Sequence, residues 1–109
     1  SHYYRRFLEE STKIAFFIAE GSSKNKASFI SQLKAAKTSI RKCVVFSAIG
    51  RKNEYLTEEK EEAIRSQLME LTKMIGALII SLQKSGAIQH ENDYHDIQHD
   101  EIDTENVFW

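Results

Sequence analysis

Proline is absent from these 109 residues, and glycine occurs only four times. A chain so short of turn-formers is poorly suited to a many-stranded β architecture and well suited to a few long helices. Cys43 is the single cysteine, so no disulfide can close within the chain. Its place inside an apolar pattern reads as a buried thiol in a reducing compartment. No apolar run approaches the roughly 20 residues of a membrane span, and the N-terminus lacks the apolar core of a signal peptide. We therefore expect a cytoplasmic protein with no membrane partner. The chain opens at Ser1 rather than Met, directly on helix-forming sequence, so a truncated or processed fragment is expected. An apolar content of 41% supports one modest core and excludes a two-domain enzyme.

Charge of one sign is missing from two stretches, which the net charge of −1 conceals. Residues 87–109 carry seven acids and no Lys or Arg, whereas residues 1–86 hold all 15 Lys and Arg against nine acids. We expect a helical domain over 1–86 and an acidic, His-rich tail over 87–109. Within the domain no acid occurs from Gly21 through Asn53, while Lys24, Lys26, Lys34, Lys37, Arg41, Lys42, Arg51 and Lys52 supply eight positive charges.

Apolar spacing predicts three helices. The first runs from about His2 to Glu20, with Phe7, Ser11, Ile14 and Ile18 on one stripe, widened by Leu8, Ala15 and Phe17. Gly21 is expected to stop it in a left-handed conformation, and Ser22 or Ser23 to cap the next. The second runs from about Lys24 to Ile49, with Phe29, Leu33, Ala36, Ile40, Cys43 and Ser47 facing inward and Gly50 ending it. The third opens at Thr57 as N-cap, with Glu58, Glu59, Glu61 and Glu62 in the first turns, where the helix dipole favours negative charge. Its stripe is Ile64, Leu68, Leu71, Ile75, Leu78 and Leu82, closed by Lys84 and Gly86. Gly76 inside it costs roughly 1 kcal/mol relative to Ala unless a close helix approach uses it. Short connections favour an antiparallel up-down all-α bundle.

The segment Ile18-Ala19-Glu20-Gly21-Ser22-Ser23 resembles the signature of the four-helix-bundle proteins encoded in 23S rRNA intervening sequences. The resemblance continues in order through Ala27-Ser28-Phe29-Ile30-Ser31-Gln32-Leu33, Asn53-Glu54-Tyr55-Leu56-Thr57-Glu58-Glu59 and Leu78-Ile79-Ile80-Ser81-Leu82. The family's first helix has no counterpart here, and neither does the tail in the family. The resemblance therefore implies a bundle completed by oligomerisation or by the tail. Relatives of that family include the accessory variability protein of diversity-generating retroelements. By that likeness a pentameric homo-oligomer with a basic surface is expected, with RNA or DNA and an enzyme such as a reverse transcriptase as partners.

The eight cations of the acid-free run form the candidate nucleic-acid site. Lys34, Lys37 and Arg41 share one flank of the second helix, where they could track a phosphate backbone. The competing reading is an ordinary solvated lysine face, partly answered by the acids of the third helix. In the tail, His90, His95 and His99 with Asp96 and Asp100 form a second cluster, in which His95 and His99 would share a face if helical. A zinc site needs more converging ligands than this, so we read a solvated, pH-sensitive segment and expect no metal or other cofactor. Cys43 faces the core and no serine has a partner His nearby in sequence, so no catalytic residues are assigned and no enzyme is expected. The expectation is a non-enzymatic oligomeric bundle that binds RNA or DNA through the basic helix face, as an accessory scaffold; the alternative is a protein-protein interaction module whose exposed apolar face receives a partner's helix or a tail.

Overall fold

The computed structural model describes residues 2–89, with side chains through Ser85, and every regular element among them is helical. The elements are α1 (His2–Ser22), α2 (Lys26–Lys52) and α3 (Glu58–Gln89). The expected tail from His90 onward lies outside the described residues.

Two caps explain where the helices begin. Asn25, in extended conformation, accepts a hydrogen bond on Oδ1 from the Ser28 amide at 2.9 Å. This corrects the expected cap at Ser22 or Ser23, whose hydroxyls instead donate back to the carbonyls of Ala19 and Glu20 inside the last turn of α1. Thr57 does cap α3, its Oγ1 accepting from the Lys60 amide at 3.1 Å, with Glu58, Glu59 and Glu61 in the first turn.

The glycines do different work from the expected stops. None has positive φ; the left-handed position after α2 is filled by Glu54 at φ 64°. Gly21 lies within α1 and is buried, because a Cβ there would stand 2.8 Å from the Cβ of Gln32 and 2.9 Å from Cδ1 of Phe29. Gly50 lies within α2, beneath the ring of Tyr3. Gly86 lies within α3, which runs on to Gln89. Glycine here permits close approach of α1 to α2 at both ends. Gly21→Ala should therefore destabilise the protein, although Ala gains about 1 kcal/mol of helix propensity. The atom it meets is a Cβ, which moves only with its backbone. A melting temperature equal to or above that of the parent protein would contradict this.

α1 and α3 each pack on α2 and scarcely on one another. The result is a layer of 56 × 25 × 16 Å with α2 in the middle. Antiparallel neighbours are fixed by side chains at both ends: the Tyr3 hydroxyl donates to the Phe46 carbonyl at 2.6 Å, and Lys26 Nζ donates to Ser85 Oγ at 2.6 Å.

The core comprises Ile14, Leu33, Ala36, Ile40, Cys43, Leu68, Ile75 and Ile79. The inward stripe expected for α2 is therefore correct, with Phe29 packed against its edge. The stripe of α3 is rotated from the expectation. Ile79, Thr72 and Gly76 are buried, while Leu71 is half-buried and Leu78 is 37% exposed. A helix with one packing neighbour buries a narrower arc than a bundle helix, so of the expected seam only Leu68 and Ile75 are buried, Ile64, Leu71 and Leu82 are half-buried against the core, and Leu78 is exposed. On α1, Leu8 and Ala15 are exposed for the same reason, and the buried position beside Ile14 is Glu10.

Candidate nucleic-acid interface

At 100° per residue, Lys34, Lys37, Arg41 and Lys52 fall within a sector of about 60° on α2. Lys34, Arg41 and Lys52 are exposed. Lys37 is not: only 4% of it is accessible, so it meets no phosphate without leaving its place between helices. Burial pushes its ammonium below the ordinary lysine range, and the neighbouring Arg41 and Lys34 push it further down. Lys26 and Arg51 are half-buried on the side toward α3, with Lys26 engaged by Ser85.

Two of the expected site residues stand apart from this sector. Lys24 precedes α2 and pairs with Glu20 at 3.5 Å on the surface, an interaction worth at most about 0.5 kcal/mol. Lys42 lies on the α1 side of α2, 3.9 Å from Oε1 of Glu10. Lys34, Arg51 and Lys52 form no ion pair among the described residues, so the acids of α3 do not engage them.

Sequence spacing alone missed what α1 contributes. A groove of about 890 Å3 runs between α1 and α2, with Arg6, Lys13 and Lys42 around it and Val45, Ile49 and Tyr55 forming an apolar wall. Glu10 sits at its base, 8% exposed, and binds Lys13 Nζ at 3.3 Å through Oε2. The groove is held open by an aromatic cluster at one end of the layer. Tyr3 meets Tyr55 at 5.0 Å and Phe46 at 6.2 Å between ring centroids, and Phe7 stacks on Phe46 at 5.7 Å. The Tyr4 hydroxyl donates to the Tyr55 carbonyl at 2.9 Å, tying the α2–α3 turn to α1. Burial raises the pKa of Tyr3, and nearby Tyr4 adds to the rise, so its hydroxyl stays a donor at neutral pH. The adjacent aromatic pair Tyr3-Tyr4 at the start of a helix was the sequence signal for this cluster.

The opposite side of the layer is apolar. α1 and α3 run parallel on either side of α2, so equal-handed helices turn α1's uncharged flank and α3's Leu71-Met74-Leu78 flank to the same side. Leu8 is 66% and Met74 61% exposed there.

Cys43 is fully buried in the core, and burial, assisted by the charge of Glu10, raises its pKa to about 11. At pH 8 this leaves about a hundredfold less thiolate than an ordinary thiol has. Alkylation of the folded protein should accordingly be slower by at least that factor than of the protein in denaturant. Equal rates would contradict the burial. Among the described residues no cluster of His, Cys, Asp or Glu could hold a metal ion, and no helix is long and apolar enough to cross a membrane. The tail histidines lie outside those residues.

Compared with known protein families, curated proteins and solved structures, the chain matches none.

Proposed function

We propose that this chain is a non-enzymatic binding module that holds RNA or DNA along the outer face of α2. One observation carries the reading: the acid-free run of the sequence forms the central helix of the layer, and its outward side presents Lys34, Arg41, Lys42 and Lys52 to solvent. A rigid helix carrying cations at this spacing suits a phosphate backbone, because each neutralised phosphate releases counterions. The resemblance to the bundle proteins of 23S rRNA intervening sequences supports the same reading. It also supports a homo-oligomer, pentameric by that likeness, acting as accessory scaffold to an enzyme such as a reverse transcriptase.

Two to four phosphates neutralised per chain correspond to a salt slope of about −2 to −4, or roughly a 16- to 250-fold loss of affinity from 50 to 200 mM salt. Filter binding of a labelled single-stranded RNA and of a DNA duplex over that range tests this. Binding that is undetectable at low salt, or indifferent to salt, would sink the reading.

A second reading rests on a separate observation, the exposed apolar side formed by Leu8, Met74 and Leu78. There the layer would receive a partner helix or another copy of itself, a protein-interaction role. Sedimentation distinguishes the readings: Met74→Glu should shift an oligomer toward monomer without touching the α2 cations. An unchanged mass would remove this side from consideration.

A further inference from the structure

We propose that residues 90–109 of this same chain are a ligand of the α1/α2 groove. In this arrangement their acids run along the outer face of α2 and the Val107-Phe108-Trp109 end occupies the groove. Three independent features converge on this occupant.

The first is charge. The outer face of α2 carries no acid, and the 20 residues after Gln89 carry seven acids and no Lys or Arg. Each lacks the sign that the other supplies. Attraction across this face weakens with salt, since the groups are exposed.

The second is the composition of the groove. It joins three cations from two helices, Arg6 and Lys13 on α1 and Lys42 on α2, which outnumber the single acid at its base, Glu10, to an apolar wall in which Val45 is 58% and Tyr55 52% exposed. A purely anionic ligand leaves that wall unused, and a purely apolar one leaves the cations unused. An acidic segment ending in Val-Phe-Trp uses both.

The third is reach. The hydrogen bond from Lys26 to Ser85 sets the C-terminal end of α3 beside the start of α2. From Gln89 back to Val45 the path is about 35 Å at helical rise. Twenty residues span up to about 66–72 Å, so the aromatic end arrives with slack. A tethered ligand on such a linker has an effective concentration in the millimolar range, enough to populate a weak site.

This inference does not require that the chain bind nucleic acid. If it does, tail and nucleic acid compete for Lys34 and Lys42, and the tail sets a threshold that only a longer or denser polyanion overcomes.

Trp109 is the only tryptophan, so its fluorescence reports the docked end directly in the full chain. At low salt, emission should be blue-shifted and iodide and acrylamide quenching severalfold weaker than in denaturant. Both signals should be independent of protein concentration. Val45→Glu, at an exposed position that leaves the core untouched, should restore solvent-like emission and quenching while the helical circular dichroism stays unchanged. Tryptophan already solvent-like in the parent chain would overturn the proposal. Protection that survives Val45→Glu would place the end elsewhere and also overturn it, as would protection that disappears on dilution, which would mean docking onto a second copy. Tryptophan protection is read with no nucleic acid present, and filter binding is judged by whether a salt-dependent complex forms at all, so the two proposals fail separately.

Discussion

Leu33→Ala is expected to lower the unfolding free energy by about 2–5 kcal/mol, the cost of removing a fully buried leucine and leaving part of its space empty. Leu33 has no accessible surface and lies on the one helix that both others need. In a bundle with three mutually packed helices, the damage would be shared among alternative neighbours. Here α1 and α3 scarcely meet, so damage to α2 weakens both attachments at once. Small domains hold only about 5–15 kcal/mol in total, so this variant should be partly unfolded at moderate temperature. Leu8→Ala provides the contrast: with 66% of Leu8 exposed, its cost should stay within about 0.5 kcal/mol. Denaturant titration followed by circular dichroism compares the two at equal slope. Equal midpoints for both variants would contradict the central position of α2.

The second large effect concerns binding. Lys34 and Lys52 are 18 residues apart, a whole number of turns, and therefore share one line on α2 about 27 Å long. Reversing both to Glu should reduce nucleic-acid affinity about a hundredfold at low salt and lower the salt slope by about 2, one for each phosphate that is no longer neutralised. The control is Lys60→Glu with Lys73→Glu on α3, both exposed, which changes net charge by the same amount. A localised interface predicts only a few-fold weakening for the control. Equal weakening by the two pairs would mean that total charge, and not the face of α2, governs binding.

Much of the architecture was legible because helix signals are local. The inward stripe of α2 follows from apolar spacing, and Thr57 as the cap of α3 follows from one hydroxyl placed before a cluster of glutamates. What spacing could not supply was the number of neighbours each helix has. The expected α3 stripe suits a helix enclosed on two sides, whereas α3 has one neighbour, so Ile79 and Thr72 are buried in place of Leu71 and Leu78. Gly21 illustrates a different limit. A glycine at a helix end signals either a left-handed stop or a close approach, and only the position of Gln32 and Phe29 decides between them.

The candidate site was legible in composition and not in geometry. The eight cations were visible as an acid-free run, but their roles divide according to burial and partners. Lys37 is enclosed, Lys26 is tied to Ser85, Lys24 and Lys42 answer glutamates of α1, and Lys34 and Lys52 remain without an ion pair among the described residues. The α1 side of the groove had no sequence signal beyond Arg6 and Lys13 lying seven residues apart on one flank. Glu10 has the burial of a core residue because its carboxylate neutralises Lys13 and Lys42 where α1 meets α2.

Whether the outer face of α2 is the interface is tested most directly by amide chemical-shift mapping of the full chain titrated with a short single-stranded RNA at low salt. Perturbations should concentrate on that face, at Lys34, Thr38, Arg41, Lys42 and Lys52, with the acidic first turns of α3 unmoved. Perturbations centred on α3, or none on α2 at saturating RNA, would contradict binding along this helix.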